Sequence, residues 1–123
     1  AWTRASVYEW TQHWSVARGL GVAEADLLAV RDGPSSERFG PLERAVLTAT
    51  DETLADGRIS EATWTECARH LGSGELVELV VAIGNWNMVA QLLSSLDVPL
   101  EDGVEPWPPD SRTPTTEGGT GDD

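Results

Sequence analysis

The sequence predicts an all-α domain, and three observations carry that expectation. Apolar residues recur at three- and four-residue spacing along five separate stretches, the period that gathers side chains on one helix face. Turn chemistry rich in glycine, proline and serine separates those stretches. No segment shows the apolar–polar alternation of a half-buried strand. At 123 residues there is chain enough for one modest core.

The first stretch runs from Trp2 to Gly21. On a helix, Trp2, Ala5, Trp10, Val16, Ala17 and Leu20 share one side, and Arg4, Thr11, Ser15 and Arg18 share the other. Glu9 and His13 fall within the apolar arc, one turn apart, and Ser6 projects from it too. Helical pattern begins at Trp2 with no cap residue before it, which leads us to expect further residues upstream. Gly19 and Gly21 are good stops. A short helix is expected over Ala23–Arg31, with Leu27, Leu28 and Val30 inward, then a loop from Asp32-Gly33-Pro34 to Gly40.

Pro41 suits the first turn of a third helix ending near Gly57, with Leu42, Ala45, Val46 and Ala49 as its inward stripe. Ser60 reads as the N-cap of Glu61–His70, on which Trp64, Cys67, Ala68 and Leu71 cluster. Glu66 and His70 pair on the opposite, wet side, where the helix dipole favours a histidine in the last turn. Ser73 is read as the cap of a long helix, Glu75 to about Leu96. Its apolar residues run almost all round, so a homo-oligomer is expected to cover it. Asn87 lies with Val80, Ile83 and Ala90, either tying two helices together or lining a pocket. Residues 101–123 hold four prolines, four glycines, seven acids and one arginine. The domain is therefore expected over 1–100 and a disordered acidic tail over 101–123, with Trp107 the one residue able to tuck back.

Eight basic residues, all arginine, stand against 21 acidic ones, for a net charge of −13. That balance argues against nucleic acid and anionic membranes as partners. No uninterrupted apolar run reaches the ~18 residues of a membrane span. The single cysteine, Cys67, excludes an intrachain disulfide and fits a reducing, cytoplasmic setting. Two histidines on different helices make a poor zinc site, and no phosphate-binding glycine loop is found, so neither metal nor cofactor is expected. Ser6 lies about two turns from His13, long for a nucleophile–base contact.

What remains is the pair Glu9 and His13. Pointed at a core, a carboxylate and an imidazole are costly unless paired. One reading is structural, each satisfying the other. The second is acid–base catalysis on a small molecule, in a pocket walled by Trp10, Trp64 and Trp86, with Ser6 and Asn87 as polar lining.

The order and spacing of several motifs resemble the carboxymuconolactone decarboxylase-like family of the alkylhydroperoxidase D (AhpD-like) superfamily. The pieces are Tyr8-Glu9-Trp10-x-x-His13-x-x-x-Ala17-x-x-x-Gly21, Pro41-Leu42-Glu43-Arg44-Ala45, Asp51-Glu52, Ile59-Ser60-x-x-Thr63-Trp64 and Gly84-Asn85-Trp86-Asn87-Met88. Together they span residues 1–100. The resemblance implies an all-α fold, trimers or hexamers, and sites near subunit contacts. In the peroxidase branch a CxxC pair precedes the histidine. Those positions are Ser6 and Glu9 here, which disfavours that chemistry, although a peroxide-handling protein dependent on Cys67 is an alternative. The decarboxylase branch implies a cofactor-independent lyase or isomerase acting on a small lactone or conjugated carbonyl acid, with His13 as proton donor and Glu9 orienting it. The family's further glutamate would lie before Ala1. A non-catalytic oligomeric binding protein is the third reading.

Overall fold

The structure, a computed structural model, describes residues 1–115. Among these there are five α-helices and no strand: α1 Val7–Gly19, α2 Glu24–Ala29, α3 Pro41–Asp56, α4 Glu61–Ala68 and α5 Ser73–Ser95, with a 3-10 segment, Val30–Ser35, after α2. The all-α expectation is met.

The start of the first helix is corrected. Residues 1–5 form a turn, closed by the Ala5 N–H on the Trp2 carbonyl at 3.0 Å and the Ser6 N–H on that of Ala1 at 3.1 Å. Ser6 is the N-cap of α1 in extended conformation. Ser6-x-x-Glu9 is the pattern of a capping box, a start signal that the apolar arc through Trp2 obscured. The faces shift accordingly. Ser6, Glu9 and Trp10 are buried, as expected, and so is Thr11, which was placed on the wet side. Val16 and Leu20, placed inward, are exposed. Thr11 is covered by the C-terminal segment, whose Trp107 N–H donates to its hydroxyl at 3.3 Å.

The second helix ends at Ala29 and tightens into the 3-10 segment, so Arg31 lies beyond it. Gly33, at φ +63°, breaks the helical path ahead of Pro34. α3 begins on Pro41 and ends in Gly57 at φ +75°, whose N–H returns to the Thr53 carbonyl at 2.9 Å. α4 is fixed to α3 by one carboxylate. Glu52 accepts from the Ser60 N–H at 2.8 Å, the Ser60 hydroxyl at 2.9 Å and the Thr63 hydroxyl at 2.7 Å. The Ser60 hydroxyl in turn accepts from the Thr63 N–H. Replacing Ser60 by Ala is expected to cost about 1 kcal/mol, as for other N-caps, measured by chemical denaturation.

On α4 the buried residues are Thr63 and Cys67, whereas Trp64 and Ala68 face outward, against expectation. One residue per turn meets α3, so the buried stripe is narrower than the apolar one. His70 is exposed beside Glu66, 3.3 Å away, as expected.

α5 is capped at Gly72 rather than Ser73, with the Glu75 carboxylate accepting from the Gly72 N–H at 2.7 Å. Leu76, Ile83 and Ala90 are its buried residues, a seam of seven-residue spacing that packs on α1, α3 and α4. Val77, Val81, Met88, Leu92 and Leu96 are exposed. By length and composition alone this helix is long and apolar enough to cross a membrane. The sequence reading missed that because Asn85 and Asn87 interrupt the run, while only Glu75 and Glu78 in it are charged.

The core is small. Ala45, Ala49, Cys67, Leu76 and Ile83 form it, with Ile59, Leu71 and Leu79 against them. Alanine and cysteine at the crossing let α3 and α4 approach closely and leave little apolar area to bury there.

A second cluster is aromatic, and it seats part of the segment expected to be disordered. Glu101 accepts from the Tyr8 hydroxyl at 2.6 Å and the Gln12 amide at 2.7 Å. The Trp10 indole N–H donates to the Pro108 carbonyl at 3.0 Å. Trp107 meets Trp2 edge-on, ring centres 5.8 Å apart. Arg31 holds Asp110. The boundary at residue 101 is thus a change of composition and not of packing. Residues 116–123, also placed in that tail, lie outside the described residues.

Candidate functional site

The first turn of α1 sets the site. Ala5, at φ +49°, is in a left-handed conformation uncommon for a residue with a side chain. It turns the chain so that Ser6 starts the helix, which puts Glu9 in the first turn and His13 one turn on. Glu9 is 3% exposed. Its Oε1 lies 3.9 Å from Nδ1 of His13, an ion-pair separation rather than a hydrogen bond. Glu9 Oε2 and the Ser6 hydroxyl are buried and have no hydrogen-bond partner among the described residues. Two orphaned oxygens three residues apart are unusual, since buried polar atoms are nearly always paired. The first turn of a helix is a favourable place for a carboxylate, because the unpaired N–H groups and the dipole are there.

His13 differs from its partner. Its side chain is 43% exposed, and it borders a cavity of about 240 Å³ together with Trp2, Trp10, Trp14, Leu27 and Val30. The arrangement is a buried carboxylate behind an accessible imidazole, which in turn opens on an aromatic hollow. Trp10 sits between Trp2, at 4.9 Å, and Trp14, at 6.0 Å between ring centres. Trp86 of α5 packs against His13 at 4.4 Å, the rings near perpendicular. That contact restricts the rotation of the imidazole and links the site to α5.

The site residues expected from the sequence divide in two. Ser6, Glu9, Trp10, His13 and Trp86 are brought together. Trp64 is not: it lies on the outer side of α4 and does not border this cavity. Asn87 is also elsewhere. It accepts from Arg4 Nε at 2.7 Å and faces a separate groove with Arg4, Gln91 and Ser94, the helix-tying role rather than the lining one. Trp14 and Arg31 were missed. Trp14, at four-residue spacing from Trp10, was legible as a neighbour of the apolar arc; Arg31 gave no signal, because its partners are distant in sequence.

Larger hollows exist. One of about 530 Å³ between α3 and α4 is bordered by Phe39, Arg44 and Glu66, and one of about 620 Å³ lies between α1 and the C-terminal segment. In the first, Arg44 Nε is committed to the Phe39 carbonyl and Glu66 to Arg69. Neither contains a histidine, so size does not make them better equipped for proton transfer. No group of three potential metal ligands lies together among the described residues.

Cys67 is completely buried and carries a free thiol. Burial pushes that thiol up, and the nearby Glu52 and Glu66 carboxylates push it further, which disfavours the reactive thiolate. Cys67 in the folded protein is expected to resist a thiol reagent and to react only as fast as the chain opens, a contrast read by labelling with and without denaturant.

Compared with known protein families, characterised proteins and solved structures, the chain matches none.

Proposed function

We propose that the chain is a cofactor-independent acid–base enzyme of the carboxymuconolactone decarboxylase kind, a lyase or isomerase acting on a small lactone or conjugated carbonyl acid. The observation that carries this reading is the Glu9–His13 pair, with its unpartnered buried oxygens behind an accessible imidazole on an aromatic cavity. A purely structural pair would be expected to satisfy its buried oxygens.

In a decarboxylation, the bond to the departing carboxylate breaks and its electron pair passes into the conjugated system. The carbon then takes a proton. His13, bordering the cavity, is the group placed to give it, and buried Glu9 favours the protonated imidazole and fixes its orientation. The tryptophan rings hold the flat, conjugated substrate and keep water from the reacting carbon. The peroxide-handling alternative has less support, because Cys67 is buried and its thiolate disfavoured. The test is to offer the full chain a panel of small conjugated lactone acids and follow carbon dioxide release with a chelator present. Release from at least one supports the reading. Binding without conversion of any member makes this a binding protein.

The same reading includes a homo-oligomer, a trimer or hexamer by the family resemblance. Trp86 packs on His13 yet remains about half exposed, in continuity with the bare apolar side of α5. A second subunit across α5 would close the site from that direction. Sedimentation is expected to show an assembly, and Val81→Glu, on the exposed side of α5, to dissociate it. A well-folded monomer at micromolar concentration overturns this.

A further inference from the structure

Arg31 is built like a binding residue and is occupied by the chain itself. Its side chain is 2% exposed. The guanidinium carbon lies 4.6 Å from the centre of the Trp2 ring and 5.1 Å from that of Trp10, two of the rings that border the cavity. A cation held over two indole faces is positioned before any anion arrives. Nη2 donates to the Pro108 carbonyl at 3.1 Å. Nη1 donates to both carboxylate oxygens of Asp110, at 3.0 and 2.9 Å. Nε is buried and has no partner among the described residues.

The pairing is incomplete for so buried an arginine. A guanidinium best grips a carboxylate with two parallel bonds from two nitrogens. Here one nitrogen serves both oxygens, and Asp110 itself is about half exposed. It is carried on Trp107-Pro108-Pro109, a segment of fixed geometry with little freedom to improve the match.

We propose that Arg31 is a carboxylate-binding position of this site, that Asp110 occupies it as an internal substitute, and that a small conjugated or aromatic carboxylic acid takes it by displacing residues 107–110. Displacement frees the Trp10 indole N–H from the Pro108 carbonyl and adds a second donor at the same place. The flat slot between indole faces and guanidinium suits a planar carboxylate on a conjugated body. The choice of ligand class rests on the acid–base reading above; the recognition of the anion does not need it.

The experiment is a fluorescence titration of the full chain with benzoate and, as the uncharged comparison, benzyl alcohol. In Asp110→Asn, benzoate is expected to bind about tenfold more tightly, the factor for an internal competitor present about nine-tenths of the time, with benzyl alcohol unchanged. Arg31→Gln is expected to abolish the preference for benzoate. Should that variant fail to fold, Arg31→Lys serves: it keeps the charge, loses the fork, and is expected to keep only part of the preference. Benzoate binding that is unchanged or weaker in Asp110→Asn overturns the proposal, as does equal affinity for the two probes in that variant. Because binding is read without turnover, the two readings fail separately. Tight benzoate binding with full turnover in His13→Ala would sink the chemistry and leave the Arg31 site standing.

Discussion

Replacing Glu9 by Gln is expected to cut turnover by about 10²–10⁴-fold, the loss typical of one acid–base group, while the melting temperature holds or rises. Both halves follow from the geometry. The carboxylate is buried, with one oxygen 3.9 Å from the His13 ring and the other unpartnered. A buried charge so poorly satisfied opposes folding, and the neutral amide of the same shape relieves that cost. Positions that trade stability for chemistry behave in this way. A structural Glu9 would give the opposite pattern. Stability would fall by about 1–3 kcal/mol as a buried partner is lost, and activity would follow only as the fold weakens. Turnover and melting temperature taken on one Glu9→Gln sample separate the two.

Truncation after residue 100 is expected to destabilise the domain by on the order of 3 kcal/mol, from the burial of Trp107 and the partners lost by the Trp10 indole and Thr11. Composition alone predicts no effect, since residues 101–123 are proline-rich, glycine-rich and acidic. The seat of this segment also depends on pH. The Glu101 carboxyl is held below the usual range by the Tyr8 hydroxyl, its own backbone N–H and the Gln12 amide. For Asp110, burial works upward, but the Arg112 N–H and the Arg31 guanidinium together bring it below its usual value. Groups lowered by folding contribute in full at neutral pH, and that contribution is lost as pH falls below about 4. Tyr8 is raised by its bond to Glu101, so its contribution is present at neutral pH and lost above about 10. Tryptophan emission is expected to report release at both ends of the scale. An unchanged melting temperature on truncation would mean that the segment is not seated.

Periodicity made the helices legible, because each buries one stripe and ends on a glycine, a proline or a capping hydroxyl. It did worse on faces. Thr11 reads as wet and is buried, and Val16 and Leu20 read as core and are exposed, because a wheel centred on Trp2 assumes a helix that begins only at Val7. The Glu9–His13 pair was legible because both residues lie on one helix, where spacing fixes distance. Trp86 was found as an aromatic in an interrupted pattern, and its contact with His13 depends on how α5 crosses α1. Trp64 and Asn87 were drawn toward the site by residue type, but the packing of α4 on α3 and the Arg4 side chain take them elsewhere. Arg31 and Asp110 are 79 residues apart. No local pattern announces a contact of that separation, and an acidic, proline-rich segment gives no sign of the indole and guanidinium waiting for it.

The most direct measurement is solvent deuterium incorporation. The full chain is incubated in heavy water with a conjugated lactone acid that it decarboxylates, and the product is examined for label at the carbon that lost carbon dioxide. If His13 is the proton donor, the wild-type product carries one deuteron placed on a single face, and His13→Ala reduces its formation by about 10²–10⁴-fold without loss of fold. Formation of the same labelled product at an undiminished rate by His13→Ala would contradict the account.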